Sequence, residues 1–130
     1  MIGLDSSAII DFYKGDKELK KVLDELKEPI ALNMISYLEV VFGMDFSQTS
    51  YEKEISFYDE MFDSFLFFKL NREACKKSSE VLWNLKKIGK VIEMFDCAIV
   101  GIYLSNGVNK IITRNKKHFE NIKEIEIIEY

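Results

Sequence analysis

The chain has 130 residues, 48% of them hydrophobic and 31% charged, with a formal net charge of −4. That length encloses a core without staples, and that composition excludes a disordered chain. The negative balance argues against a large basic face for nucleic acid, yet permits an enzyme that meets phosphate through a divalent cation.

In chain order, Met1 to Leu4 reads as a buried strand, followed by helical spacing over Ala8 to Tyr13. Lys17 to Leu26 forms a second helix, with Leu19, Val22, Leu23 and Leu26 on one face. Pro29 to Leu32 is the next strand, and Ile35 to Phe46 and Tyr51 to Asp63 are helices. Phe65 to Leu70 is a strand whose start, Phe65-Leu66-Phe67-Phe68, is the most apolar run and predicts a central place in the sheet. Arg72 to Ile88 is helical, with Ala74, Val81, Leu82, Leu85 and Ile88 as its stripe. After a break at Gly89, Glu93 to Ser105 is a helix stopped by Asn106-Gly107. Lys110 to Thr113 and Glu124 to Glu129 are the last strands. Strands separated by helices imply right-handed crossovers, so the expected fold is a three-layer α/β/α domain spanning residues 1–130 with a parallel sheet of about five strands. No apolar run reaches the length of a membrane span, and Met1-Ile2-Gly3-Leu4-Asp5 lacks the features of a signal peptide. A cytoplasmic protein with no membrane partner is therefore expected.

In open parallel sheets, ligands gather beyond the carboxyl ends of the strands. Asp5 follows the first strand, Ser36-Tyr37-Leu38-Glu39 lies beyond the second, and Thr113-Arg114-Asn115 ends the fourth. Asp96 is the only formally charged side chain between Glu93 and Lys110, in an apolar segment near a helix start. An ion there costs several kcal/mol unless paired, and no Lys or Arg follows within two helical turns. Each residue has a structural alternative. Asp5 suits an N-cap, Ser36-x-x-Glu39 a capping box, Asn115 the cap of a turn through Phe119, and Asp96 the positive end of its helix. Taken together, three acids and an amide at one sheet edge suit a hard cation such as Mg²⁺, which takes oxygen ligands and keeps several waters. Zinc is not suggested, because His118 is the sole histidine and Cys75 and Cys97 lack CxxC spacing.

At these residues the chain resembles the PIN domains, and among them the VapC-type toxins of prokaryotic toxin–antitoxin pairs. The resemblance runs in order through Leu4-Asp5-Ser6-Ser7-Ala8-Ile9-Ile10-Asp11, Ile35-Ser36-Tyr37-Leu38-Glu39-Val40, Gly89 with Asp96-Cys97-Ala98-Ile99-Val100, and Ile112-Thr113-Arg114-Asn115 with His118-Phe119. It implies an α/β/α fold and a Mg²⁺- or Mn²⁺-dependent endoribonuclease, the toxin partner of a small antitoxin protein; a homodimer is also expected. Asp5, Glu39 and Asp96 would be the acidic metal site. Asn115 falls where many members carry a fourth acid and others carry Asn. Ser6, Ser7, Ser36 and Thr113 match hydroxyl positions that would orient the carboxylates.

Other residues read as structural. His118 reads as a structural or surface histidine, Asp11 and Glu93 as exposed acids with the alternative of supporting the metal site, and both cysteines as small buried hydrophobes. Lys86, Lys87, Lys90, Arg114, Lys116 and Lys117 read either as contacts to an RNA backbone or as solvated charge. The aromatics from Phe42 to Phe68 read as core, with the alternative of an apolar face for a second copy or an antitoxin. Two competing functions remain: a catalytically weak PIN-like RNA-binding module, and a phosphohydrolase on another α/β fold. Ser7 stands where the latter would carry a second Asp.

Overall fold

The computed structural model describes residues 1–130. Five short strands, β1 (Ile2–Leu4), β2 (Ile30–Asn33), β3 (Leu66–Phe68), β4 (Lys110–Ile112) and β5 (Glu126–Ile128), form one sheet in the order β3-β2-β1-β4-β5. Every neighbouring pair is parallel. Six α-helices connect them: α1 (Ser6–Lys14), α2 (Lys17–Leu26), α3 (Met34–Phe42), α4 (Tyr51–Asp63), α5 (Arg72–Lys87) and α6 (Met94–Ser105). The expected three-layer α/β/α architecture is what forms.

Strand alternation divides the core. Ile2, Leu4, Leu32 and Ile112 point to one face, where they meet Ala8, Ile9 and Leu19 of α1 and α2 and Tyr58, Met61 and Phe62 of α4. Ala31 and Ile111 point to the other, against Ala74, Val81 and Leu85 of α5 and Ile99 and Ile102 of α6. Helix α3 contributes Ile35 to the second cluster and Val40 to the first, so it bridges the two layers at one end of the sheet.

Gly3, in the middle of β1, faces the ring of Tyr103 from α6, and a Cβ there would lie 2.5 Å from that ring. The space the glycine leaves lets Tyr103 reach under the strands while remaining fully buried. Its hydroxyl bonds the carbonyls of Leu4 and Ala31 and accepts from Asn33 Nδ2 at 2.9 Å. One phenol thus ties together the carboxyl ends of β1 and β2, from which the polar loops leave.

Several expectations are corrected. The Phe65–Phe68 run is not a central strand: β3 is an edge, and Leu66 is 45% exposed. Its apolarity is used in aromatic packing instead, with Phe65 edge-on to Phe12 and Phe67 edge-on to Phe62. Helix α3 stops at Phe42 rather than Phe46. Its N-cap is Asn33, whose Oδ1 accepts from the Ser36 backbone N–H at 2.8 Å, so Ser36 and Glu39 do not form the capping box. Phe42, Phe46 and Phe57 lie exposed rather than in the core. Cys97 is buried as expected, but Cys75 is exposed on the outer face of α5.

Candidate active site at the carboxyl edge of the sheet

The chain turns one way from β1 to β2 and the other way to β4, so the sheet's order reverses between β1 and β4. Such a switch point leaves a crevice beyond the strand ends. Asp5 leaves β1 and Thr113 leaves β4 at that place, and the Asp5 backbone N–H bonds the Ile112 carbonyl at 3.3 Å.

Asp5 does serve as the N-cap of α1, accepting from the Ala8 N–H at 2.9 Å. It also accepts from Ser7 Oγ on the same oxygen and from Thr113 Oγ1 on the other. Only 4% exposed, its carboxyl is pushed above the ordinary range by burial, while these three donors work to hold it down. The cap and the proposed ligand are therefore the same side chain, with one role fixing it for the other.

Glu39 projects from α3, and its Oε1 accepts from Ser6 Oγ at 2.7 Å. The Ser6 and Ser36 hydroxyls lie 2.9 Å apart, and Ser36 Oγ accepts from Asn33 Nδ2 at 2.9 Å. A hydroxyl chain thus runs from the buried Asn33 cap to the Glu39 carboxylate. Asn33 was not foreseen as a site residue. Its position at the end of a strand, three residues before Ser36, was the available signal.

Asp96 occupies the first turn of α6, behind the uncapped residue Glu93. Burial lifts its carboxyl to about 6; His118 opposes this, and the negative charges of Glu39, Asp5 and Glu93 add to it. The three acids therefore share one electrostatic environment. No Lys or Arg neutralises any of them, since the chain's lysine and arginine ion pairs all lie elsewhere. The one basic side chain beside them is His118, whose Nδ1 stands 3.0 Å from Asp96 Oδ2. His118 is therefore a surface histidine, as expected, but one that touches the acid edge. The signal was its place three residues after Asn115, on the loop that leaves the same sheet edge.

Asn115 is exposed and makes no capping bond to the short 3₁₀ turn at Lys116–His118, so the alternative reading of it as a cap does not hold. Its backbone N–H bonds Thr113 Oγ1 at 2.9 Å instead. Two open cavities flank this loop. One, of about 400 Å³, is lined by Val91, Ile92, Glu93, Asp96, Lys117 and His118. The other, of about 460 Å³, is lined by Arg114 to His118 and Glu120. Lys117 and His118 belong to both. Asp11 was expected to be exposed but is buried, pairing with Arg114 at 3.3 Å and accepting from the Tyr130 hydroxyl. Lys116 pairs with Glu129 at 3.0 Å, which leaves Lys117 as the loop cation outside any ion pair. Glu93 is exposed, as expected.

No three of the acidic, histidine or cysteine side chains converge closely enough to form a finished metal cage. The donors at the edge are nevertheless all carboxylate oxygens with a surplus of negative charge, which fits a hard cation that retains most of its own water.

Comparison with known proteins agrees with this architecture. The chain is 29% identical over 121 residues to Ribonuclease VapC1 of Methanocaldococcus jannaschii, covering 93% of this chain and 80% of that protein. Its fold matches chains in the crystal structure of VapBC2 from Rickettsia felis bound to a promoter DNA fragment, with a TM-score of 0.84, 19% identity, and coverage of 100% of this chain and 99% of that one. It also matches VapBC-1 from nontypeable Haemophilus influenzae, with a TM-score of 0.80, 24% identity, and coverage of 99% and 98%. The PIN domain family model matches residues 2–125, and the chain belongs to the PIN domain family.

Proposed function

We propose that this chain is a Mg²⁺- or Mn²⁺-dependent endoribonuclease that hydrolyses RNA phosphodiester bonds, acting as the toxin of a VapBC-type toxin–antitoxin module. The observation that carries this reading is the set of Asp5, Glu39 and Asp96 at the switch point, unpaired with any Lys or Arg. Membership of the PIN family and likeness to a protein named as a ribonuclease support it.

Asp5, Glu39 and Asp96 would hold the cation. When bound, it supplies Lewis acidity to the scissile phosphate and to water. The chain's own residues supply position. Thr113 and Ser7 orient Asp5, and Ser6, backed by Ser36, orients Glu39. Asn115 offers an amide at the mouth of the loop cavity, and Lys117, in both cavities, is placed to meet a flanking phosphate. No Ser-His-Asp or Cys-His arrangement competes for a covalent route; His118 contacts Asp96 and no nucleophile. The whole of residues 1–130 would act as one catalytic unit in the cytoplasm, and no helix is long and apolar enough to cross a membrane.

Purified protein should cleave cellular RNA in Mg²⁺ or Mn²⁺ and stop in a chelator. A second reading is favoured by Asn115, a neutral amide where an acid would bind a cation more strongly. In it the chain binds RNA through a PIN-like site with little turnover. Robust metal-dependent turnover excludes that reading.

A further inference from the structure

The three acids are not held alike. Asp5 receives two hydroxyls and a backbone N–H, and Glu39 receives the Ser6 hydroxyl. No hydroxyl or amide of the protein donates to Asp96; its one close polar neighbour is the His118 ring. The ring's Nδ1 lies 3.0 Å from Asp96 Oδ2. The contact engages Oδ2 alone.

The ring is also held in place by the fold. His118 ends a 3₁₀ turn closed by bonds from its own N–H to the Asn115 carbonyl at 3.0 Å and from Glu120 N to the Lys116 carbonyl at 2.9 Å. The next residue, Phe119, is fully buried in the core beside α5 and α6. The loop from Thr113 to His118 therefore grips Asp5 at one end and Asp96 at the other. It joins an acid that follows β1 to an acid on α6, although the two lie far apart in sequence.

We infer that His118 is the positioning residue for Asp96, doing for that carboxylate what Thr113 does for Asp5, so that the 113–118 loop sets the spacing of the acids. The inference rests on the proposed cation site. It makes His118 an aid to cation binding rather than a competitor for Asp96.

The test is calorimetric titration of Mn²⁺ alone into metal-free wild-type protein, His118→Ala and His118→Asn, with thermal unfolding of each protein recorded without metal. The Asn amide nitrogen falls close to the place of Nδ1 and keeps a donor toward Asp96. His118→Ala should weaken Mn²⁺ binding about tenfold, the scale of losing an outer partner of a metal ligand, and His118→Asn should recover most of it. Metal-free melting should stay near wild type in both, because the His118 side chain is 48% exposed. Unchanged or tighter binding in His118→Ala overturns the inference, as does equal weakening in both variants. Wild-type protein that takes up no Mn²⁺ overturns the site reading itself, and the inference falls with it.

Discussion

Asp96 enters the fold as an ion without a Lys or Arg beside it, and the structure surrounds it with further negative charge. Its folded carboxyl lies at about 6, above the value of about 4 for an unfolded Asp. The folded state therefore binds the extra proton, and the stability from this group is fully present below pH 4 or so and lost as pH rises through 6. Metal-free Asp96→Asn should remove that loss, and near pH 7 it should be more stable than wild type by roughly 2 kcal/mol. Denaturant unfolding of both proteins across this range checks the sign; a variant less stable than wild type at pH 7 contradicts it. The isolation of Asp96 was legible in the sequence because its apolar neighbours are contiguous. Its contact with His118 was not, because that depends on a loop folding back across 22 residues of chain.

At the scale of elements, α5 and α6 pack backbone to backbone at Gly101. A Cβ on Gly101 would lie 2.0 Å from Ser78 Oγ and 2.7 Å from the Ala74 carbonyl oxygen, so α5 backbone stands where the side chain would go. Gly101→Ala should cost about 3 kcal/mol, toward the upper end for overpacking. A melting temperature close to wild type would show that the helices part easily. The helices themselves were legible: Lys17–Leu26 and Tyr51–Asp63 have the bounds their periodicity predicts. The order of the strands was not. An apolar run such as Phe65 to Phe68 has the same pattern whether it is buried by two strands or by aromatic rings from neighbouring helices, and here the rings of Phe12 and Phe62 supply the cover. The α3 cap was not legible for a related reason. Asn33 and Ser36 both suit an N-cap, and only the strand end at Asn33 decides between them.

At the scale of the whole molecule, several large apolar side chains stand in solvent. Phe42, Phe46 and Phe57, on and after α3 and on α4, are more than half exposed, with Phe46 at 82%. We propose that this surface is covered in a homodimer or by a small antitoxin, as apolar patches on soluble proteins commonly are. Phe46→Glu should then lower the apparent mass of purified protein by light scattering or abolish antitoxin capture. A variant unchanged in both respects removes this face from the proposal. The placing of the candidate residues near one edge was legible in the sequence because motifs in chain order mark strand ends, and a parallel sheet collects strand ends at one edge. What the sequence withheld was how each acid is held: the hydroxyl chain from Asn33 and the grip of the 113–118 loop are tertiary contacts. The most direct measurement of the central claim is the RNA-cleavage rate of wild type against Asp96→Asn at saturating Mn²⁺, with both proteins shown to be folded. The acid edge as active site predicts a loss of at least about a hundredfold, the scale of removing one transition-state electrostatic group. Cleavage by Asp96→Asn at the wild-type rate would contradict it.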